Sequence, residues 1–591
     1  MAPESAKSLL TSLFLAVLAA WCVGMFARAY WTPDEPREAD LSWRMSWQAH
    51  KSVPQLAGKA FCEKPPLTYW VAGATMRALG DSAWVARLPN LLYALITAFA
   101  VFLLGRRSLG PIAAAAAAAA AATFLLAYQV AIWLATDAPL VAAVSVALLG
   151  EYQGFYARRS GERLRGYTLM HVALALGFLA KSGAAWMVPA LVLATLIVWE
   201  KRWRELWRWE LYAGLLVQVA VIGTWVHAVY VGADGPAHLR VFFWDNLVGR
   251  FTQVAAPAGQ QYTTGHHNYP GKYFIELPLY LWPWSLLVAA AARRAWTGRH
   301  APAGDRRAVR FAVACVAPTL VLLSLAATAR NIYLAPALPG AALLLGWWAE
   351  AASTAPDRWD RGAVRATAVM LLLACAAAAA AAALIGYDAW NELPSRIAYV
   401  VVCAAGILAA SVLARRGYAL AADRLPLALG ALLAAYCALC VFPATQIYPQ
   451  VDRWHDLRAI GLELRADLGG APLTLISPDE TTRAWVDMYS TPAATRIAAP
   501  LGPRRLERLR AAAAVDRRGR FLVQLGGADW PARIVALAGE FGIRPRAQRR
   551  SLPVWLGPAR LIAEKIYSLP FGRRYALLRP ASATRRNNAS Y

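Results

Sequence analysis

The residues best suited to chemistry lie between two apolar runs, in the stretch from Trp31 to Trp70. It opens with Thr32-Pro33-Asp34-Glu35-Pro36-Arg37-Glu38 and closes with Phe61-Cys62-Glu63-Lys64-Pro65-Pro66-Leu67-Thr68-Tyr69-Trp70. Carboxylates at Asp34, Glu35, Glu38 and Glu63 therefore share a short polar loop with the cations Arg37 and Lys64, and prolines at both ends hold the backbone near one φ value. Helical spacing would turn Asp34 or Glu35 to the same side as Glu38. A carboxylate can accept a proton or orient a nucleophile, and a cation can compensate a departing phosphate, so the chemistry that fits is group transfer between phosphorylated molecules. The plainer account of such a loop is a solvated connection.

Apolar spans must position this loop. Hydrophobic residues make up 59% of the 591-residue chain, too many for a soluble protein of this size. The apolar runs are of about 17 to 25 residues, enough to cross a hydrocarbon core as helices. The first, from Leu9 to about Tyr30, is too long for the apolar core of a signal peptide and is read as a retained span. The poly-Ala tracts 113–122 and 376–383 read as close helix packing rather than repeats. The seven cysteines fall almost entirely inside spans, which indicates neither a disulfide framework nor a zinc knuckle.

A formal charge of +26 would suggest nucleic acid in a soluble protein, but here its distribution follows the membrane and no nucleic-acid partner is expected. Arginine clusters follow every second span: Arg106-Arg107, Arg158-Arg159, Lys201-Arg202, Arg293-Arg294, Arg358 with Arg361, and Arg415-Arg416. These connections are expected to be cytoplasmic. With about 13 transmembrane helices the N-terminus is then cytoplasmic as well, and the loops 31–70 and 232–272 lie outside. The domain division expected is a membrane part over 1–444 and a small soluble α/β domain over 445–591 on the outer side. Within the latter, Trp454 to Leu468 and Trp530 to Phe541 read as helices, and Pro472 to Ile476 and Phe521 to Leu525 as strands. Its excess of arginine suits either a solvated face or the attraction of anionic lipid headgroups.

The same parity gathers other polar residues on the outer side: Asp137, Lys181, Arg250, His266, His267, Arg330 and Tyr333. Ionisable groups at span ends away from the basic side are costly unless paired or solvated, which makes a converging set a candidate site. Each has a plainer reading. Asp137 before Pro139 suits a helix cap, Lys181 and Arg330 suit interfacial anchors, and the two histidines suit an exposed loop.

Thr-Pro-Asp34-Glu35-Pro-Arg37, then Phe-Cys-Glu63-Lys64-Pro-Pro, then a lone Asp137 after the third span, resembles the GT-C membrane glycosyltransferases of the protein O-mannosyltransferase superfamily. Within it the motifs are most similar to bacterial lipid A 4-amino-4-deoxy-L-arabinose transferases, through the Glu-Lys-Pro loop, Phe178-Leu179-Ala180-Lys181, His267-Asn-Tyr-Pro270 and Tyr333-Leu-Ala-Pro336. The resemblance covers about residues 1 to 450. It implies a GT-C fold and an inverting transfer at the periplasmic face of the bacterial inner membrane, from an undecaprenyl phosphate-linked sugar donor to a lipid A acceptor, with polymyxin resistance as the consequence. It further implies catalytic roles for Asp34, Glu35, Asp137 and Lys64. Donor phosphate would be held by Lys64, Arg37, Arg250, Lys181 and Tyr333, and a divalent metal ion (Zn, Mg or Mn) by Glu63, His266 and His267. A protein O-mannosyltransferase-like enzyme is the rival within the fold. A lipid transporter is the rival outside it, though no interrupted spans are evident in the sequence.

Overall fold

The computed structural model describes residues 3–248, 268–298, 306–326, 330–388, 393–476, 478–490, 495–497, 519–526, 561–569 and 573–580. Two compact units are present. One comprises Met1–Arg28, Ser46–Pro54 and Phe61–Tyr448; the other comprises Ala29–Met45, Gln55–Ala60 and Pro449–Tyr591. The division is not a single cut in the chain, because most of the acidic stretch after Trp31 clusters with the C-terminal residues.

In the first unit, apolar runs become helices because a backbone in lipid must satisfy its own hydrogen bonds. The sequence proceeds through α1 (Pro3–Phe26), α2 (Asp34–Trp47, shared with the second unit), α3 (Leu67–Leu79), α4 (Ala83–Ser108), α5 (Pro111–Thr123), α6 (Leu125–Ile132), α7 (Asp137–Tyr156), α8 (Ser160–Lys181) and α9 (Ala184–Trp199). Among the described residues, eight helices are long and apolar enough to cross a membrane, and two bent pairs raise this to ten. This is a multi-pass helical membrane protein.

The antiparallel pair α7 and α8 is drawn together by glycine. A Cβ on Gly166 would lie 2.3 Å from the Gly154 backbone nitrogen and 2.8 Å from the Gly150 carbonyl oxygen. Only hydrogen side chains let the two backbones approach so closely, the way helices associate where no hydrophobic drive exists between them.

Two spans are interrupted, contrary to the sequence reading. α5 and α6 meet at 61°, and Lys272–Tyr280 meets Ser285–Thr297 at 115°. The first break has no proline or glycine to announce it: Phe124 simply takes an extended backbone (φ −52°, ψ 136°). The N–H of Leu125 donates to the Trp282 carbonyl at 2.8 Å, and the Trp284 indole donates to Thr123 Oγ1 at 2.8 Å.

In the second unit, β1 (Gln55–Leu56) and β2 (Lys59–Ala60) form a hairpin whose turn residues Ala57 and Gly58 have φ of 47° and 74°. Two positive φ values match the right-handed twist of the flanking strands, and Gly58 adopts one without strain. A five-stranded sheet follows, of β3 (Leu473–Ile476), β4 (Thr495–Ile497), β5 (Arg520–Gly526), β6 (Leu561–Ser568) and β7 (Arg574–Pro580), in the order β4-β3-β5-β7-β6. β3 runs parallel to β4 and β5, while β7 is antiparallel to β5 and β6. Leu457, Ile460, Leu464 and Leu468 line one face of the helix Leu457–Leu468 and join Leu475, Leu522, Trp485 and Tyr575 in the core. The single helix expected from Trp454 is instead broken at Asp456, whose carboxylate accepts the Ala459 N–H at 3.0 Å and starts a new helix. The helix expected over Trp530 to Phe541 lies outside the described residues.

Gly166→Ala is expected to lower the melting temperature of the detergent-solubilised protein by several degrees, since overpacking a close contact costs ~1–3 kcal/mol. An unchanged melting temperature would contradict the close contact of α7 with α8.

Candidate active site

At one end of the α7–α8 pair the two helix termini meet as opposite charges. Asp137 is the first residue of α7 and Lys181 the last of α8, and they form an ion pair whose side chains are 8% and 16% exposed. Each charge also suits its own helix, a carboxylate at an N-terminus and an ammonium at a C-terminus. Thr136, not Asp137, occupies the cap position. The Lys181 ammonium stands 5.0 Å from the Tyr333 ring centroid, within cation–π range. Tyr333 lies in the 3₁₀ segment Asn331–Ala337, whose entry is pinned at the Arg330 carbonyl: the Tyr333 N–H and the Tyr273 hydroxyl both donate to it, at 2.9 and 2.6 Å. Asp137, Lys181 and Tyr333, far apart in sequence, are thus brought together.

The approach to Asp137 is clamped by buried polar groups that the sequence reading missed. Arg87 is fully buried in α4 and donates to the carbonyls of Met25 and Arg28, at 3.2 and 2.9 Å, which quiets the C-terminal end of α1. The Arg28 guanidinium donates to the Ile132 carbonyl and lies 4.9 Å from the Trp133 ring centroid, while Asn90 donates to the Trp133 carbonyl at 2.7 Å. An arginine inside an apolar span was the available signal.

The Glu63-Lys64 bend precedes α3 in the same unit, with both side chains half-buried. Its position is set by tryptophans: the Trp70 indole donates to the Lys51 carbonyl at 2.7 Å and the Trp225 indole to the Ser52 carbonyl at 2.9 Å. Cys62 packs in one apolar cluster with Phe178 and Leu179 of the last turn of α8, so the bend adjoins the turn that carries Lys181. Burial, and then the charge of Glu63, push the Cys62 thiol up to about 12, which keeps it protonated and inert.

Asp34, Glu35 and Arg37 belong to the second unit. Arg37 is a hub: its guanidinium pairs with Glu38 at 2.8 Å, Glu480 at 2.8 Å and Asp34 at 3.3 Å. Its charge is therefore shared among three carboxylates, which changes the expectation that a phosphate is its main partner. Glu35 is fully buried and reaches back to accept the Trp31 N–H at 2.9 Å. Asp452 accepts from the Ala29 N–H and the Trp31 indole, at 3.0 and 2.6 Å, and Thr481 donates to the Pro33 carbonyl at 2.8 Å. Two turns after Arg37 along α2, Arg44 forks onto Asp487 at 2.7 and 2.5 Å, and Asp40 accepts the Ala57 N–H at 2.7 Å, holding the hairpin turn.

Arg250, His266 and His267 lie outside the described residues. Among the described residues no group of three or more His, Cys, Asp or Glu side chains is arranged to hold a metal ion.

Residues 63–227, which include the Glu63-Lys64 bend, Asp137 and Lys181, match the family model described as dolichyl-phosphate-mannose-protein mannosyltransferase. A protein of Pseudomonas paraeruginosa named undecaprenyl phosphate-alpha-4-amino-4-deoxy-L-arabinose arabinosyl transferase is 29% identical over 336 residues, 56% of this chain and 58% of its own length. A protein of the same name from Edwardsiella ictaluri is 27% identical over 332 residues, 56% of this chain and 57% of its own. The match thus spans less than three fifths of these relatives. The structure superposes on crystal structures of ArnT from Cupriavidus metallidurans, apo with a TM-score of 0.69 at 16% identity over 97% of this chain and 98% of that one, and bound to undecaprenyl phosphate with 0.68 at 17% over 98% of each. The chain has the ArnT fold. That likeness extends past residue 450, beyond the reach of the sequence motifs.

Two outcomes test this geometry. Asp137→Asn and Lys181→Met should each destabilise the protein, because removing one partner of a largely buried pair leaves the other uncompensated, while the double variant should lose less than the sum. Additive shifts in melting temperature would show that the pair is not coupled. Asp40 supplies the second. Its burial, and then the charge of Asp487, hold its carboxyl well above the usual carboxylate range, against the opposing pull of the Ala57 N–H and Arg44. A carboxyl raised by folding gives stability that is complete below its unfolded value of about 3.9 and is lost as pH rises through the folded one. Asp40→Asn should therefore flatten the decline of melting temperature as pH rises above the unfolded value; a profile parallel to that of the parent would refute the assignment.

Proposed function

We propose that this chain is an inverting glycosyltransferase that moves 4-amino-4-deoxy-L-arabinose from undecaprenyl phosphate to a phosphate of lipid A, and so confers resistance to polymyxin and other cationic peptides. The observation that carries this reading is the similarity over 336 residues to a protein named for that sugar and that carrier.

In the reaction, an oxygen of the acceptor phosphate attacks the anomeric carbon of the sugar from the face opposite the carrier. The bond from that carbon to the carrier phosphate breaks, and the electron pair leaves with undecaprenyl phosphate. Lys64 compensates the charge that grows on the leaving phosphate, with Lys181 and Arg250 as further cations and Tyr333 steadying Lys181. Asp137 fixes the Lys181 ammonium by its ion pair. Asp34 orients the acceptor, and Glu35 holds the backbone that leads to it through its bond to the Trp31 N–H. An acceptor phosphate is already ionised, so no strong general base is needed, whereas a serine hydroxyl would require one. Where a divalent ion takes part, Glu63, His266 and His267 would hold it, and it would supply positive charge beside the phosphate.

The topology follows the same reading. In this reading the eight long helices, the two bent pairs, the short apolar helices Thr11–Phe26 and Ala184–Trp199, and α8 are each taken as one crossing, thirteen among the described residues. The N-terminus is then cytoplasmic, the first unit is the catalytic membrane part in the bacterial inner membrane, and the second unit, with its C-terminal residues 449–591, is periplasmic.

A second reading, transfer of a sugar to a protein hydroxyl, is favoured by the family model over residues 63–227. Purified protein supplied with labelled donor lipid and either lipid A or a serine-containing peptide separates the two. Label is expected on lipid A, and label on peptide alone would reject the first reading. Lys64→Ala and Asp34→Ala should each reduce transfer by about a hundredfold or more and abolish polymyxin resistance on complementation, while Arg106→Ala leaves both intact. Normal resistance from well-expressed Lys64→Ala would remove the proposed site.

A further inference from the structure

At the far end of α7 from Asp137 there is a cavity of about 500 Å³, lined in part by Arg107 of α4, Tyr152 and Tyr156 of α7, Glu162 and Arg165 of α8, and Arg307 of the helix Arg306–Leu325. We propose that it holds the phosphate headgroup of an anionic glycerophospholipid.

The first ground is charge. Arginines nearby have carboxylate partners: Arg163 pairs with Glu205 and Glu210 at 3.6 and 3.5 Å, Arg202 and Arg208 with Glu205 at 3.1 and 3.0 Å, and Arg310 with Glu200 at 3.2 Å. Among the described residues, Arg107, Arg165 and Arg307 have no carboxylate within ion-pair distance. Arg307 also stands in the first turn of its helix, where the backbone is already positive, and Glu162, the carboxylate among the lining residues, is within ion-pair distance of none of the three, so the lining carries an excess of positive charge. Its guanidinium lies 5.4 Å from the Tyr156 ring centroid, which holds it at the cavity wall. Guanidinium forks match phosphate oxygens in pairs.

The second ground is depth. The Tyr156 hydroxyl donates to Glu200 at 2.8 Å, which ties the cavity to the end of α9, where Trp199 and Trp203 are 49% and 55% exposed. Exposed tryptophans of this kind mark the membrane–water interface, the level of lipid headgroups. A volume of this size accommodates a headgroup, and a basic recess between helices at that level is the setting in which anionic lipids are recognised. Free phosphate shares the chemistry but would gain nothing from the depth.

Native mass spectrometry of the full chain, delipidated in detergent and titrated with phosphatidylglycerol or phosphatidylcholine, tests this. Phosphatidylglycerol should be retained preferentially. The combined Arg107→Gln, Arg165→Gln and Arg307→Gln variant should lose that preference by about tenfold or more, and Arg106→Gln should keep it. Glu162→Gln, a change at an exposed rim residue, should strengthen retention and provides a readout even where the triple variant folds poorly. Equal retention by parent and triple variant, equal loss on Arg106→Gln, or no gain from Glu162→Gln would overturn the proposal. Displacement of the lipid by millimolar inorganic phosphate would reassign the cavity to the free anion.

Discussion

The contact of α7 with α8 through Gly150, Gly154 and Gly166 is the constraint on which the membrane unit turns. Backbones that close cannot shear past one another without a clash, so the helices leave the contact in fixed relative register. At one end that register delivers Asp137 opposite Lys181; at the other it frames the arginine-lined cavity between Tyr156 and Arg165. Two polar sites at opposite ends of one helix pair are thus positioned by residues that carry no functional group at all.

The second unit depends on a different kind of restraint. The acidic helix α2 is fastened to C-terminal residues by directional charge pairs, Arg37 to Glu480 and Arg44 to Asp487, and by Asp452, His455 and Thr481 gripping the chain between Ala29 and Pro33. Forked guanidinium–carboxylate pairs specify angle as well as distance, which a greasy contact would not. The carboxylates that looked catalytic in the sequence therefore also have structural work. Asp34 and Glu38 both neutralise Arg37, and Glu35 holds the chain that enters the helix by accepting the Trp31 N–H.

Much of the membrane unit was legible in the sequence. Long apolar runs have few alternatives in lipid, and alternating arginine clusters order their ends, which is why Asp137, Lys181 and Tyr333 were assigned to one side and are found together. What could not be read depends on side-chain pairs formed across hundreds of residues. Nothing in the spacing of Arg37 or Arg44 points to positions 480 and 487, so the grouping of residues 29–45 with the C-terminal unit was hidden. The strands β3 and β5 were visible as apolar runs, but β6, with Glu564 and Lys565 in its middle, lacks such a run. Asp456 could be read equally as a residue within a helix or as the cap that starts one, and the structure chooses the cap.

The two interrupted spans have a shared fate. An amide hydrogen left over where α5 gives way to α6 finds its acceptor at Trp282, beside the sharper corner in the other span, and the indole two residues on returns the favour to Thr123. In a medium without water, straightening either corner alone would strand a polar group on its neighbour. The pair therefore behaves as one joint, able to flex only if both halves flex together.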